Sequence, residues 1–149
     1  CIKIAKERKY PYVWIIEDDF IFLEQKKNKL NIDEYKIPET FDMFFVGGQV
    51  IGVIKDEKTS YKIMSARRAE CYIIKENYYD TFLKMLEESW DLTLQNPEIK
   101  KYRFDVYWDK LIQKDNWRIS NKGIFGGQRE GFSDIANKYL KRDNMNYVM

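Results

Sequence analysis

Apolar positions along the chain fall into short runs and helical stripes, separated by segments rich in charge, glycine or proline. Ile2, Ile4 and Ala5 among lysines predict the end of a helix over residues 1–9. Tyr10-Pro11 stops it, because the residue before proline is pushed out of the helical region. Tyr12-Val13-Trp14-Ile15-Ile16 is an unbroken β-branched and aromatic run, the pattern of a buried strand in a parallel sheet. Residues 41–46 predict a second buried strand, closed by a turn at Gly47-Gly48. Residues 50–54 and 61–64 alternate weakly, as a hairpin or edge strands do. Residues 71–74 read as a strand running straight into a helix from about Asn77. On that helix Tyr79, Phe82, Leu83, Leu86 and Trp90 share one face, and Asn96-Pro97 ends it. A further helix from about Phe104 places Phe104, Tyr107, Trp108, Leu111 and Ile112 together. Short strands are expected at 117–119 and 124–125, then a last helix over 133–140 and a polar tail. Strands alternating with helices, without repeats or a linker, predict a single α/β domain over residues 1–149.

Composition narrows the chemistry. Net charge is +2 and the basic residues are scattered, so neither nucleic acid nor an anionic membrane surface is indicated. Histidine is absent, which excludes Ser-His-Asp and Cys-His nucleophile systems, His-ligated zinc and an imidazole base. Any chemistry then falls to carboxylates, amides, tyrosines, lysines and arginines. Aromatic residues make up 16%, enough to furnish a concave ligand surface as well as a core. Cys1 and Cys71 form no disulfide framework, no secretory signal is visible, and no apolar run approaches the ~20 residues of a membrane span. These features predict reduced thiols and a cytoplasmic setting without a membrane span. An initial Cys rather than Met predicts a piece of a longer polypeptide.

The strongest local signal is Glu17-Asp18-Asp19 at the carboxyl end of the first strand, where open α/β sheets bind ligands. Hard oxygen donors at this density suit Mn²⁺ or Mg²⁺, and such a cation can bridge a diphosphate. The less favoured alternative is a solvated turn capping a following helix. Asp105 and Asp109, one helical turn apart, can supply a base toward an acceptor hydroxyl or a further ligand; a helix-dipole role for Asp105 and a solvated Asp109 are the plainer alternatives. Gly126-Gly127-Gln128 through Ser133 can bring backbone close to a phosphate or sugar, or form a mobile turn in which Ser133 caps the last helix. Gly47-Gly48 forms either a site wall or a tight turn. Arg67-Arg68 can neutralise phosphate or lie in a solvated loop.

Taken in order, "AKERKYPYVWIIEDDFIF", "FDMFFVGG", "AECYIIKENYY", "FDVYWDKLIQKDNW" and "GGQREGFSDI" resemble glycosyltransferase family 25, over about residues 3–136. That family includes bacterial lipooligosaccharide transferases and collagen hydroxylysine galactosyltransferases, and the wording is most similar to viral members from giant DNA viruses. The resemblance implies a GT-A, Rossmann-like fold whose DxD-type acidic motif holds Mn²⁺ (or Mg²⁺) against a nucleotide-sugar diphosphate. By position Asp19 and Glu17 match the metal ligands, and Asp18 belongs to the same motif. Asp105, with Asp109 in support, matches an acidic position implicated in catalysis. Gly47, Gly48, Gln128 and Ser133 would line the donor site. Glu70 stands beside the position where relatives often carry histidine. The family's domain opens with a nucleotide-binding strand and helix upstream of this segment, so the chain is expected to be the C-terminal two-thirds of such a domain.

The expected activity is transfer of a hexose from a UDP-sugar to a hydroxyl acceptor, a glycan or a hydroxylysine-type protein. Two other readings stay open: a non-catalytic sugar- or nucleotide-binding domain derived from a transferase, and a Mg²⁺-dependent phosphohydrolase.

Overall fold

The computed structural model describes residues 1–22, 36–133 and 137–140. Helix α1 (Ile2–Glu7) leads into strand β1 (Tyr12–Ile16), and a turn at residues 17–19 leads into β2 (Phe20–Phe22). Then come β3 (Met43–Val50), the short β4 (Val53–Ile54) and β5 (Ser60–Ile63), and the ten-residue β6 (Ala66–Lys75). A 3-10 turn delivers the chain into α2 (Tyr79–Gln95), which stops just before Asn96-Pro97. Two four-residue helices, α3 (Phe104–Tyr107) and α4 (Asp109–Ile112), precede β7 (Trp117–Ser120) and β8 (Gly126–Gln128). The hairpin of β9 (Gly131–Ser133) and β10 (Lys138–Leu140) follows.

Eight strands form one mixed sheet in the order β1-β6-β3-β7-β5-β4, and β8 takes over from β7 beside the far end of β3 and carries β2. β3 is parallel to β7 and β8, whereas β1·β6, β3·β6, β5·β7, β4·β5 and β2·β8 are antiparallel. All four described helices pack on one face. There Phe45, Tyr72, Phe82, Trp108 and Trp117 form the centre of the larger core cluster. A smaller cluster of Phe41, Phe44, Val46, Cys71, Ile73 and Phe125 occupies the other face. Both cysteines are free, and Cys71 is buried. Among the described residues no helix is long and apolar enough to cross a membrane.

Several expectations are corrected, among them the strand expected at 124–125, which forms instead just after it as β8 over the glycines read as a turn. β1 is not a buried parallel strand; it ends the described strand order, pairs only antiparallel to β6, and alternates between core-facing Val13 and Ile15 and exposed Tyr12, Trp14 and Ile16. An uninterrupted apolar run reads alike in either setting, since alternation is visible only when the outer residues are polar. No helix begins after Glu17-Asp18-Asp19, because β2 does. The helix from Phe104 breaks at Trp108 into α3 and α4. The last helix over 133–140 gives way to the β9–β10 hairpin, and the polar tail lies outside the described residues.

Gly47-Gly48 does not end β3 either. The strand continues to Val50, with register shifts between Phe45 and Gly47 and between Gly47 and Gln49. In the second, Gly47 pairs Cys71 and Gln49 pairs Arg67, so Arg68, Ala69 and Glu70 are looped out of the β6 ladder. Gly48 makes this possible: its φ is +136°, and an added Cβ would meet the Arg68 carbonyl and the Phe45 ring. Opposite it, Arg68 itself adopts φ +65°, unusual for a residue with a side chain. Gly48→Ala is expected to lower stability by about 2–3 kcal/mol, combining backbone strain with a backbone clash. Chemical denaturation checks this, and a loss under about 0.5 kcal/mol would show that the bulge does not need glycine.

Candidate functional site

The bulge opens onto a cleft of about 780 Å³ between the sheet and α2. Its sheet-side wall carries Glu17 from the end of β1, Arg68 and Glu70 from the bulge, and Gln128 from the end of β8. Antiparallel pairing sets Glu17 beside Glu70, where the Glu17 N–H continues the ladder by donating to the Glu70 carbonyl at 2.9 Å. α3 brings Asp105 to the same cleft, with Arg103 and Phe104 just before it. The facing wall is α2, through Leu83, Leu86 and Trp90. These three form a second apolar line beside the buried Tyr79, Phe82 and Met85, so the helix is apolar over more than its core-facing side.

Hydrogen bonds tie the acidic wall together. The Gln128 side chain donates from Nε2 to Asp19 Oδ2 at 2.7 Å, and its backbone N–H donates to Glu70 Oε2 at 3.1 Å. Arg68 Nη2 donates to Gln128 Oε1 at 3.2 Å, and the Arg68 backbone N–H donates to Asp105 Oδ2 at 3.2 Å. The strained backbone of Arg68 therefore holds the α3 carboxylate in position. Glu70 is 2% exposed. Arg68 Nη2 lies 2.5 Å from Glu70 Oε1 as an ion pair, yet no N–H is directed at that oxygen, which is left without a hydrogen-bond donor.

Burial pushes the Glu70 carboxyl above the usual carboxylate range. The Arg68 cation and the Gln128 N–H oppose that rise, and the Glu17 and Asp19 charges add to it. Glu17 is an exposed residue, yet its carboxyl lines the cleft and is also raised, first by loss of water and then by Asp19 and Asp18. A carboxyl raised in the folded state binds its proton more tightly there than in the unfolded chain. Its contribution to stability is therefore full in acid and is lost as pH rises from about the ordinary value of 4.5 through the raised value. Glu70→Gln removes this titration while keeping an acceptor for the Gln128 N–H. The melting temperature of Glu70→Gln relative to wild type is expected to climb as pH rises from acid to neutral, read by thermal scans across pH. A difference that is flat or falls with pH would contradict the buried-charge account.

Of the residues singled out in the sequence, Glu17, Asp105 and Gln128 line the cleft, and Asp19 joins them through Gln128. Asp18 is exposed. Asp109 turns to the neighbouring arginine instead: Arg67 Nη2 is 2.7 Å from Asp109 Oδ2, and Ser65 Oγ donates to both carboxylate oxygens. Gly47 and Gly48 are buried beneath the site rather than lining it. Ser133 has its backbone in β9, and its side chain lies outside those described. Among the described residues no three acidic or cysteine side chains form a group that could hold a metal ion. Sequence reasoning did not find Arg103, which nothing in its spacing marks, and it grouped Trp90 and Phe104 with residues that prove buried, although they are 65% and 36% exposed. No protein-family model matches the chain, and no curated protein matches it at a significant level.

Proposed function

We propose that the chain is a metal-dependent glycosyltransferase that moves a hexose from a UDP-sugar to a hydroxyl acceptor, on a Rossmann-like GT-A scaffold. The observation that carries this reading is the cleft itself: carboxylates Glu17, Glu70 and Asp105 with Arg68 on one wall, the exposed Trp90 and the half-buried Leu83 and Leu86 on the other. A sugar presents an apolar C–H face to aromatic rings and hydroxyls to carboxylates, so both walls suit it.

A divalent cation fits the donor set. Mg²⁺- and Mn²⁺-type sites that handle phosphates need only one or two protein carboxylates, the phosphates completing the coordination. Glu17 and Asp19 supply hard oxygens; the Glu17 carboxyl is raised first by burial and then by the Asp19 charge, and a cation offsets both. When bound there, the cation would offset charge on the departing diphosphate. Gln128 fixes Asp19, and Arg68 keeps Gln128 and Glu70 in register.

Asp105 is placed to act on the acceptor. Its Oδ2 is held by the Arg68 N–H, while Oδ1 has no partner among the described residues. In the transfer, the acceptor oxygen bonds to the anomeric carbon, the bond from that carbon to the diphosphate breaks, and Asp105 takes the acceptor proton as UDP leaves. The test is UDP release from a panel of UDP-hexoses with Mn²⁺ and candidate acceptors. Release that requires both acceptor and metal supports the assignment. Phosphate release without acceptor would favour a phosphohydrolase instead.

A further inference from the structure

We infer that the α2 side of the cleft is the acceptor subsite and that the acceptor is a saccharide bearing an acidic group. The inference rests on the transferase reading only in naming the bound sugar an acceptor. Three observations point the same way. Trp90 is 65% exposed although it sits in a helix whose other large aromatics, Tyr79 and Phe82, are buried, and it lines the cleft with Phe104. A flat, solvent-facing indole in a cleft that also holds a second ring suits the C–H face of a pyranose. The second observation is the Glu70 carboxyl, which is buried on the cleft wall with Arg68 Nη2 2.5 Å from Oε1 and the Gln128 N–H on Oε2. A carboxylate holding one cation and one N–H keeps lone pairs that a sugar hydroxyl can fill and an apolar ligand cannot.

The third is Arg103. Of the cleft's other cations, Lys3 pairs with Glu87 at 3.1 Å and Arg68 is engaged by Glu70 and Gln128. The Arg103 guanidinium has no hydrogen-bond or ion-pair partner among the described residues. Its planar fork matches a carboxylate or phosphate in two parallel hydrogen bonds. A neutral sugar uses the rings and Glu70 and leaves this fork idle; a sugar with a carboxylate or phosphate uses all three. A cavity near 780 Å³ accommodates more than one sugar ring.

The test uses the intact chain without nucleotide or metal, titrated with cellobiose and with cellobiouronic acid, which share a skeleton and differ in charge. Binding is read by calorimetry and by Trp fluorescence. The acidic disaccharide is expected to bind about tenfold more tightly, the scale of a charge-assisted contact in a partly exposed site. Arg103→Gln should erase that preference, and Trp90→Ala should weaken both sugars by a similar factor. Both side chains are exposed, so unchanged melting temperatures confirm that each variant folds. Equal affinity for the two sugars, or a preference that survives Arg103→Gln, overturns the acidic acceptor. Binding of neither sugar while hydroxylated peptides bind overturns the saccharide subsite. Acidic-sugar preference without any UDP release leaves the subsite standing and sinks the transferase instead, so the two failures are distinguishable.

Discussion

Asp105→Asn is expected to lower acceptor-dependent UDP release by about 10²- to 10⁴-fold, the range for losing a positioned proton acceptor. Asparagine keeps the side-chain shape and can still accept the Arg68 N–H through its carbonyl, so α3 should stay in place and the melting temperature should move by a few degrees at most. The control is Asp109→Asn. Asp109 is spent on Arg67 and Ser65 in a partly exposed pair, so its loss is expected to cost about 1 kcal/mol of stability while transfer falls only several-fold. If the two variants lose activity alike, Asp105 has no special relation to the acceptor. Full activity in Asp105→Asn removes it from the chemistry.

The largest stability effect is expected at Trp108. It is fully buried, meets Trp117 at 5.4 Å, Phe45 at 5.6 Å and Phe104 at 5.7 Å edge-on, and donates its indole N–H to the Ala66 carbonyl at 2.8 Å. Trp108→Ala combines lost transfer energy with a cavity that the rigid sheet cannot close, for about 3–5 kcal/mol. Trp108→Phe refills most of that space and loses the indole bond, while the Ala66 carbonyl keeps the Arg67 Nη1 donor at 2.6 Å, and about 1–2 kcal/mol is expected. Because Trp108 joins α3 to α4, Asp105 should lose its placement in Trp108→Ala as well. Urea denaturation measures the first effect and UDP release the second. A loss below about 1 kcal/mol in Trp108→Ala would show that the residue is not the core anchor its burial indicates.

The elements most legible in the sequence are those whose pattern and stop signals agree. α1 ends before Tyr10-Pro11, α2 ends before Asn96-Pro97, and the Phe-rich β3 is buried throughout its first half. β6 was visible only as Cys71–Ile74, because Arg67, Arg68 and Glu70 look like loop residues. Their charges are tolerated in a strand because Asp109, Gln128 and one another take them up. Arg118 in β7 is a similar case, 3% exposed yet paired with Asp56 and Glu57 and bonded to Ser60.

The candidate site was half legible for a related reason. Carboxylates at a strand end announce themselves, whereas Leu83, Leu86 and Trp90 share the helical period of Tyr79 and Phe82 and cannot be told from them by spacing. Only packing shows that Tyr79, Phe82 and Met85 are the apolar residues α2 buries fully, while Leu83 and Leu86 reach both the core and the cleft and Trp90 stays exposed. Nor can spacing show where Asp105 and Asp109 part company, since both leave the same flank and then reach adjacent arginines.

The most direct test of the central claim, that the acidic cleft is a metal-assisted sugar-nucleotide site, is a calorimetric titration of the chain with UDP-hexoses in Mn²⁺ and again in EDTA. Saturable binding that requires Mn²⁺ is the predicted result. Binding of equal strength in EDTA, or no binding in either buffer, would contradict it.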